Sequence, residues 1–466
     1  MPQDPTSRRR ASDGKLSFVE NLGFGLGDMA SNLFFQTFNI FLLYYYTDVF
    51  GIAPAVAGTM FLLVRFFDAA NDPIMGVIAD RTSTKWGKYR PYLLWMAIPY
   101  GICGYMIFAN PDLGESGKVI YATVTYALML MAYTAINVPY SSLMGVISPS
   151  SQARTLASTY RFVCAFGGGL LISLLVRPLV KELGGEDEVA GFQYTMAIFA
   201  GLSVLLFWTT FATTRERVKP PKGQVNDLGG ELKELIRNKP WLILFVAAMF
   251  STTFIIMRNT VTIHYFKYVA GNGDELFIWI FDKSTFFLSS SMFMMMLGVL
   301  CMGFVIRRFD KRFLSIVLTF TTAACLVAFY FIPAENYGLM LAVNALAAFT
   351  MGPTSALVWA MYGDVADYGE YTFGRRSTGL IHSATLFALK TGSMIAGTLA
   401  GWVLDWFGFV ANEQQSESSL LGISLMFSIL PAIFAVGKGI ALVCYPLDRD
   451  KVTEIEEALA VRKANA

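Results

Sequence analysis

The stretch that decides the fold is Val56-AGTMFLLVRFFDAANDPIMGVIA-Asp80, which is long and apolar enough to cross a bilayer as one helix. Four polar residues interrupt it, namely Arg65, Asp68, Asn71 and Asp72. Spacings of three, four and seven residues place them on one helix face, with the two carboxylates one turn apart. Ionised side chains at membrane depth are costly, so they usually face a polar interior and mark an ion or substrate path. The pattern therefore predicts a buried cation site.

The same residues also have a structural interpretation, a salt bridge in which Arg65 or another basic residue only neutralises the two carboxylates. Burial of a charge that has no function is disfavoured, because its desolvation cost often exceeds what the pair returns. A functional role for the acidic pair is therefore the favoured interpretation.

The whole chain has the composition of a protein with many membrane spans. It contains 466 residues, of which 55% are hydrophobic and 15% charged, and its mean hydropathy is +0.51. The formal net charge of +2 carries little information, because topology depends on where Lys and Arg lie along the chain. These observations predict an all-α, multi-pass membrane protein and give no support for nucleic-acid binding.

Twelve spans of roughly 20 or more residues are predicted. They are 18–50, 54–79, 91–109, 119–147, 156–180, 192–213, 241–269, 284–306, 313–333, 337–362, 377–406 and 420–445. Alternate loops are basic, whereas the loops 111–117, 184–191 and 408–420 contain no Lys or Arg. By the positive-inside rule both termini face the cytoplasm, which agrees with an even number of crossings.

A long polar segment, Thr214-RERVKPPKGQVNDLGGELKELIRNK-Pro240, divides the chain into halves of six spans each. The predicted parts are a cytoplasmic tail at 1–17, a helical bundle at 18–213, a linker at 214–240, a second bundle at 241–445 and a cytoplasmic tail at 446–466. The halves echo one another weakly, since a basic loop follows the second span of each. Parallel six-helix repeats with a site between them are the design of major facilitator transporters.

Several motifs now carry a family resemblance. They are Tyr44-YYTD-Val49, Asp68-AANDPIM-Gly76, Arg81-TSTKWGKYRP-Tyr92, Tyr160-R-Phe162, His264-YFKY-Val269, Asp364-VADYGEYTFGRRST-Gly379 and Leu389-KT-Gly392. Together, and in this order, they make the chain resemble the glycoside-pentoside-hexuronide:cation symporters, of the melibiose-transporter type, within the major facilitator superfamily. The resemblance spans the whole chain and implies uptake of a sugar driven by entry of Na+ or H+.

The resemblance also implies where the cation binds, between the second and fourth helices. Asp68 and Asp72 would be the cation carboxylates, with Asn71 and the Thr134 hydroxyl as neighbours. Two carboxylates one turn apart give a hard cation such as Na+ the oxygen ligands it prefers. The same pair could instead share a proton, because close like charges raise each other's proton affinity. We favour Na+, because a proton site needs only one acid.

The sugar site of the melibiose transporters has an aspartate in the first helix, an aspartate in the fourth helix and a stacking tryptophan. The matching positions in this chain are Asn32, Asn137 and Ser141. Both acids are replaced by amides and the aromatic platform is lost, so a melibiose-like galactoside is not expected. Asp28 lies one turn before Asn32 and is predicted to take over the acceptor role, with Asn39 extending the polar stripe. Tyr133, which precedes Thr134, completes this part of the predicted substrate site.

Basic residues contribute to the predicted substrate site as well. Arg161 and Lys390 match the basic residues of the family's fifth and eleventh helices, which face the central cavity. Arg258, in the seventh helix, suits an acidic sugar because an arginine fork binds a carboxylate in a bidentate manner. The structural alternative is that Arg258 forms a salt bridge with an acidic residue near the contact of the seventh and eleventh helices. A neutral glycoside or pentoside remains the broader prediction for the substrate.

Charged residues in the cytoplasmic loops of both halves are typical of an inner gate held by salt bridges in this class of transporter. The predicted gate residues are Asp80, Arg81, Arg154, Asp364, Asp367 and Arg375. The alternative is that these charges only fix the topology of the chain.

Other functional classes have less support. No HExxH or GxSxG motif and no paired His and Asp spacing is found, so an enzyme is not predicted. A cation-coupled lysolipid transporter of the same fold is the main alternative, although an acyl chain would favour an apolar cavity. We predict no cofactor beyond the coupling ion Na+ or H+, a small sugar as substrate, membrane lipids as surroundings, a monomer, and a bacterial inner membrane as location.

Overall fold

A computed structural model of the chain describes residues 15–218, 228–271, 276–278, 281–305, 308–374 and 378–464. It has two compact units. The N-terminal unit comprises Met1–Ile52 and Leu63–Gln224, and the C-terminal unit comprises Ala53–Leu62 and Val225–Ala466. The division falls after Gln224, and residues 54–62 of the predicted second span belong to the C-terminal unit. The predicted bounds of the two bundles and the linker stay a prediction.

Residues 15–218, the first described range, contain seven α-helices. They are α1 (Phe18–Tyr44), α2 (Pro54–Arg81), α3 (Arg90–Trp95), α4 (Ala97–Ile107), α5 (Glu115–Val146), α6 (Ser151–Gly184) and α7 (Glu188–Thr213). Helix α1 begins with a capping box, in which Ser17 and Glu20 each accept from the other's backbone N–H. The third predicted span is divided at Met96 into α3 and α4.

The second half contains α8 (Leu228–Arg237), α9 (Lys239–His264), α10 (Lys283–Val305), α11 (Lys311–Tyr330), α12 (Tyr337–Phe373), α13 (Thr378–Trp406), α14 (Glu417–Phe427), α15 (Ile429–Val443) and α16 (Arg449–Ala464). A short antiparallel hairpin, β1 (Leu276–Ile278) and β2 (Phe281–Asp282), precedes α10 and pairs Leu276 with Asp282. The last predicted span is divided at Ser428. The predicted C-terminal tail contains α16, whose Ile455 and Leu459 are buried in the C-terminal unit.

Each predicted span thus coincides with one helix or with two consecutive helices. Within the described ranges, nine helical segments are individually long and apolar enough to cross a membrane. They start with α5 and include every later span. The first three predicted spans, which correspond to α1, α2 and the pair α3 and α4, are not among these nine segments of the described ranges.

The two halves share a feature that reveals their internal repeat more clearly than the basic loops do. Helix α1 runs into a π-helical turn at Tyr45–Val49, and α9 runs into one at Tyr265–Val269. Each turn is followed at its second residue by a glycine with positive φ, +81° at Gly51 and +63° at Gly271. This common ending is consistent with parallel repeats.

The segment after α7 is fixed to the N-terminal unit by one carboxylate. Glu216 accepts from the backbone N–H groups of Lys88, Tyr89 and Arg90, at 2.9, 2.8 and 3.0 Å. These N–H groups lie at the start of α3 and have no partner within that helix, so the carboxylate satisfies them. The first described residues of the predicted linker 214–240 therefore belong to the N-terminal unit.

Close packing of α2 on α13 within the C-terminal unit gives a first prediction. A Cβ atom at Gly58 would lie 2.8 Å from the Thr398 carbonyl oxygen, and Trp402 Nε1 donates to Thr59 Oγ1 at 3.1 Å beside it. Because the obstructing atom is backbone, Gly58→Ala is expected to cost about 1–3 kcal/mol by overpacking. Thermal unfolding of the purified protein measures this. At Gly201 a Cβ would meet nothing within 4 Å, so Gly201→Ala should leave Tm unchanged or raise it. Equal effects of the two substitutions would contradict the close packing.

Candidate functional site

The two carboxylates predicted to bind the cation meet a hydroxyl group from another helix. Asp68 and Asp72 lie one turn apart on α2, and Thr134 of α5 faces both. Thr134 Oγ1 lies 3.0 Å from Asp68 Oδ1 and 3.0 Å from Asp72 Oδ1. Asp68 is 7% exposed, and Asn71 is half-buried on the same turn of α2. The structure thus brings three of the four predicted cation residues into contact.

This group of three oxygens has only one hydroxyl hydrogen to share. Thr134 can donate fully to one carboxylate at a time, so its second contact at 3.0 Å brings two electron-rich oxygens together. A metal cation among the oxygens, or a proton on one carboxylate, would remove this conflict. The ligand types are hard oxygens, which suit Na+ better than a soft metal. The three oxygens are therefore of the type that a hard cation binds.

Arg65, the possible neutralising residue, is held by the same pair of helices. Its Nε donates to the hydroxyl of Tyr126 on α5 at 3.0 Å. Tyr126 is fully buried, and it lies within electrostatic range of both Arg65 and Asp68. The guanidinium is therefore part of the polar environment of the acidic pair.

A second charged group joins α1 to α6. Arg161 Nε donates to Asp28 Oδ2 at 2.9 Å, and the two side chains are only 27% and 13% exposed. The guanidinium also lies over the ring of Tyr140, 5.1 Å from its centroid. The structure thus pairs two predicted substrate residues.

The two predicted amides lie next to this pair and are oriented by local hydrogen bonds. Asn32 Nδ2 donates to the Asp28 carbonyl oxygen at 2.9 Å. Asn137 Oδ1 accepts from Ser31 Oγ at 2.9 Å, and its Nδ2 donates to the Tyr133 carbonyl oxygen at 3.1 Å. Ser31 was not predicted from the sequence, because serine is common in apolar helices and gives no distinctive signal. Its hydroxyl fixes the orientation of the Asn137 amide.

Tyr133 of α5 is close to residues of both charged groups. Its ring stacks on Phe35, with centroids 6.0 Å apart. It is within electrostatic range of Asp28, Asp68 and Asp72. Tyr133 also immediately precedes Thr134, so α5 connects the acidic pair to the Asp28 group.

The remaining predicted substrate residues occupy different places. Asn39 of α1 is 4% exposed, within the N-terminal unit. Arg258 and Lys390 belong to the C-terminal unit, on α9 and α13. Arg258 Nη1 donates to Asn344 Oδ1 at 3.1 Å. The side chain of Lys390 is half-buried.

The predicted gate residues have contacts within single units. Arg154 Nη1 donates to the Ser148 carbonyl oxygen at 2.8 Å. Asp364 accepts from Lys311 Nζ at 2.6 Å, which is a contact inside the C-terminal unit. Among the other predicted gate residues, Arg81 is exposed, Asp367 is half-buried, and Arg375 and the side chain of Asp80 lie outside the described residues. The salt-bridged gate stays a prediction.

One buried cation was missed by the sequence analysis. Lys438 of α15 is 1% exposed, and its Nζ donates to Ser251 Oγ and Thr354 Oγ1, each at 3.1 Å. The available signal was a lone lysine in the middle of the apolar stretch Ile429–Val443.

The acidic pair and the Asp28 group fall inside one family match, which extends over most of both units. A family model described as MFS/sugar transport protein matches residues 23–449. The chain belongs to the MFS/sugar transport protein family. This confirms the predicted family and fold class, and it makes the protein a multi-pass transporter.

Two relatives cover nearly the whole length of this MFS sugar transport protein. The first is "Putative glycoside/cation symporter YagG" of Escherichia coli (strain K12), 35% identical over 453 residues, with 97% of this chain and 96% of the relative covered. The second is "Isoprimeverose transporter" of Lactiplantibacillus pentosus, 31% identical over 434 residues, with coverages of 92% and 89%.

A solved structure supports the fold of this MFS member independently of its sequence. The crystal structure of nucleoside transporter NupG superposes with a TM-score of 0.60 at 15% identity, covering 92% of this chain and 100% of that chain. At this identity the similarity concerns the fold alone. It agrees with the twelve-span major facilitator architecture predicted from hydropathy.

Proposed function

We propose that this protein is a symporter that imports a glycoside, pentoside or hexuronide together with Na+ or H+ across a bacterial inner membrane. The observation that carries the proposal is the Thr134 hydroxyl, 3.0 Å from carboxylate oxygens of both Asp68 and Asp72. The glycoside/cation symport named for the Escherichia coli relative and the isoprimeverose named for the Lactiplantibacillus relative support it.

Na+ is the coupling ion that we favour. Thr134 and the two carboxylates supply three oxygens from two helices, and the amide of Asn71 lies on the same turn of α2. Hard monovalent cations bind through such oxygens, and carboxylate groups attract them by their charge. A proton shared by Asp68 and Asp72 is the alternative, because it would relieve the same conflict between oxygens.

Coupling between cation and sugar is proposed to pass through α5. Thr134 contacts the acidic pair, and Asn137, one turn further along the same helix, contacts Ser31 of α1. A cation that draws the two carboxylates towards Thr134 would therefore fix the part of α5 that orients the Asn137 amide. Each ligand then raises the affinity for the other by the same factor, as linkage requires.

The sugar is proposed to bind at the Asp28–Arg161 pair. A carboxylate accepts two sugar hydroxyls while the guanidinium donates to ring or hydroxyl oxygens. Asn32 and Asn137 add amide groups of the kind that sugars require, and Tyr133 supplies an aromatic ring. Such a lining favours a polyhydroxyl ligand over the acyl chain of a lysolipid.

The experiment that tests this function is thermal unfolding of the purified protein with a panel of ligands. Neutral glycosides, pentosides, uronides and lysolipids are each added with Na+ or with an equal concentration of choline. A ligand that binds the folded state raises Tm. We expect one sugar class to raise Tm, and Na+ to enlarge that rise.

The other outcomes of this experiment are equally informative. A sugar-dependent rise that responds to pH and is the same in Na+ and choline would identify H+ as the coupling ion. A rise with lysolipid alone would overturn the sugar proposal. Uptake into proteoliposomes under a Na+ gradient, with a pH gradient as the comparison, then distinguishes transport from binding.

A further inference from the structure

Arg258 lies in an aromatic cup inside the C-terminal unit. Its guanidinium carbon is 5.5, 4.7 and 4.8 Å from the ring centroids of Phe287, Phe329 and Phe427. The three rings also contact one another, with centroids 5.4–5.9 Å apart. Aromatic faces attract a guanidinium but bring no negative charge.

One edge of the guanidinium is anchored, and the other edge is buried without a hydrogen-bond acceptor among the described residues. Nη1 donates to Asn344 Oδ1 at 3.1 Å, and the Asn344 amide is fixed in turn by Ser291 Oγ at 2.6 Å. Nε and Nη2 are fully covered, and they have no hydrogen-bond partner among the described residues. These two nitrogens form the side of the guanidinium that binds a carboxylate in a bidentate manner.

No carboxylate compensates the charge of Arg258 within the described part of the unit. The titratable groups within its electrostatic range are Cys325 and Tyr265, and neither type of side chain carries a negative charge at neutral pH. Lys438 adds a second buried cation whose partners are hydroxyls, one of them on Ser251, seven residues before Arg258 on α9. Two buried cations whose described partners are neutral create a positive potential in the interior of the unit.

We propose that the Nε and Nη2 edge of Arg258 is an anion-binding site that takes a carboxylate or a small inorganic anion. The ligand supplies one or two acceptors in the guanidinium plane, and its negative charge compensates the buried cation. The anion has two possible sources, the carboxylate of a transported acidic sugar or a free ion from the medium. The first source rests on the proposed sugar transport, whereas the second does not.

The test is thermal unfolding with sodium chloride, sodium acetate and sodium glucuronate at constant Na+ over the millimolar range. The wild-type protein should show a saturable rise in Tm of about 2 °C with at least one of these anions. Arg258→Gln should abolish that rise. Lys267→Gln is the matched control, because Lys267 follows the same helix and is held by Asn412 at 2.7 Å, so this variant should keep the response.

The pattern of responses identifies the source of the anion. A rise with glucuronate alone indicates an acidic substrate, whereas equal rises with chloride and acetate indicate a free ion. Should Arg258→Gln fail to fold, Arg258→Lys keeps the charge and removes the fork, so the carboxylate response should fall at least tenfold in affinity. A wild-type protein that responds to none of the three salts, or an equal response in the Arg258 variants, would overturn the site. The Na+-dependent shift with neutral glycosides is measured separately, so the proposed symport can fail or succeed independently.

Discussion

Asp72→Asn is expected to abolish cation-driven accumulation of sugar while leaving the protein folded, and Asp68→Asn is expected to do the same. The amide keeps the shape of the carboxylate but removes the charge that attracts the cation. Removal also leaves Thr134 with one carboxylate, which its single hydrogen can satisfy without a cation. Uptake into proteoliposomes under a Na+ or pH gradient measures the loss, and the Tm of each variant checks the fold.

Two further variants sharpen this prediction. Thr134→Val preserves the shape of the side chain and removes only the hydroxyl, so cation affinity should fall roughly tenfold, the effect of about 1.4 kcal/mol from one hydrogen bond to a charged group. Asp112→Asn changes an exposed carboxylate in a loop and should transport as the wild type does. Gradient-driven uptake at the wild-type level in both Asp68→Asn and Asp72→Asn would remove the acidic pair from the mechanism.

The second large effect is expected at the Asp28–Arg161 pair. Arg161→Gln should destabilise the protein by about 2 kcal/mol or more, because it leaves a mostly buried carboxylate without its partner. Sugar binding should weaken more than tenfold, since the guanidinium donors are lost. Adding Asp28→Asn removes the unpaired charge, so the double variant should recover stability and remain defective in sugar binding. Thermal unfolding and sugar titration of the two single variants and the double variant measure both effects.

A second arginine of α6, which lies near a glutamate, supplies the control for these variants. Arg177 Nη1 lies 3.8 Å from Glu188 Oε1, about 24 Å along the helix from Arg161. Arg177→Gln should therefore leave sugar affinity unchanged. If Arg161→Gln keeps the wild-type sugar affinity, the sugar binds elsewhere. A double variant less stable than either single variant would contradict the prediction that Arg161→Gln leaves an uncompensated charge on Asp28.

The membrane architecture was predictable because its signals are local. Hydropathy identified the twelve spans, and the alternation of basic loops predicted the topology. Helix bounds differed most where the signal was weakest, for example in α12, which runs to Phe373 rather than to residue 362. The breaks at Met96 and Ser428 were not predicted, although a proline follows each of them by three residues, Pro99 and Pro431. Proline cannot donate to the carbonyl group four residues before it, which here belongs to the last residue of the preceding helix.

The candidate cation site was partly predictable for a similar reason. Asp68 and Asp72 stand out in an apolar helix, and helical periodicity alone places them on one face. Thr134 was predicted only through the family resemblance, since a threonine in an apolar helix has no distinctive spacing. Its contact with both acids depends on how α2 and α5 pack.

The sequence by itself therefore determined the class of protein, its spans and its unusual charges, because these follow from hydropathy and from periodicity within single helices. Tertiary structure decided the partners of those charges: Asp28 for Arg161, an aromatic cup for Arg258, and two hydroxyls for Lys438. The physical reason is that a membrane helix is apolar on both its lipid-facing and its packed side. The rotation of one helix against another is set by close packing, which leaves no period in the sequence.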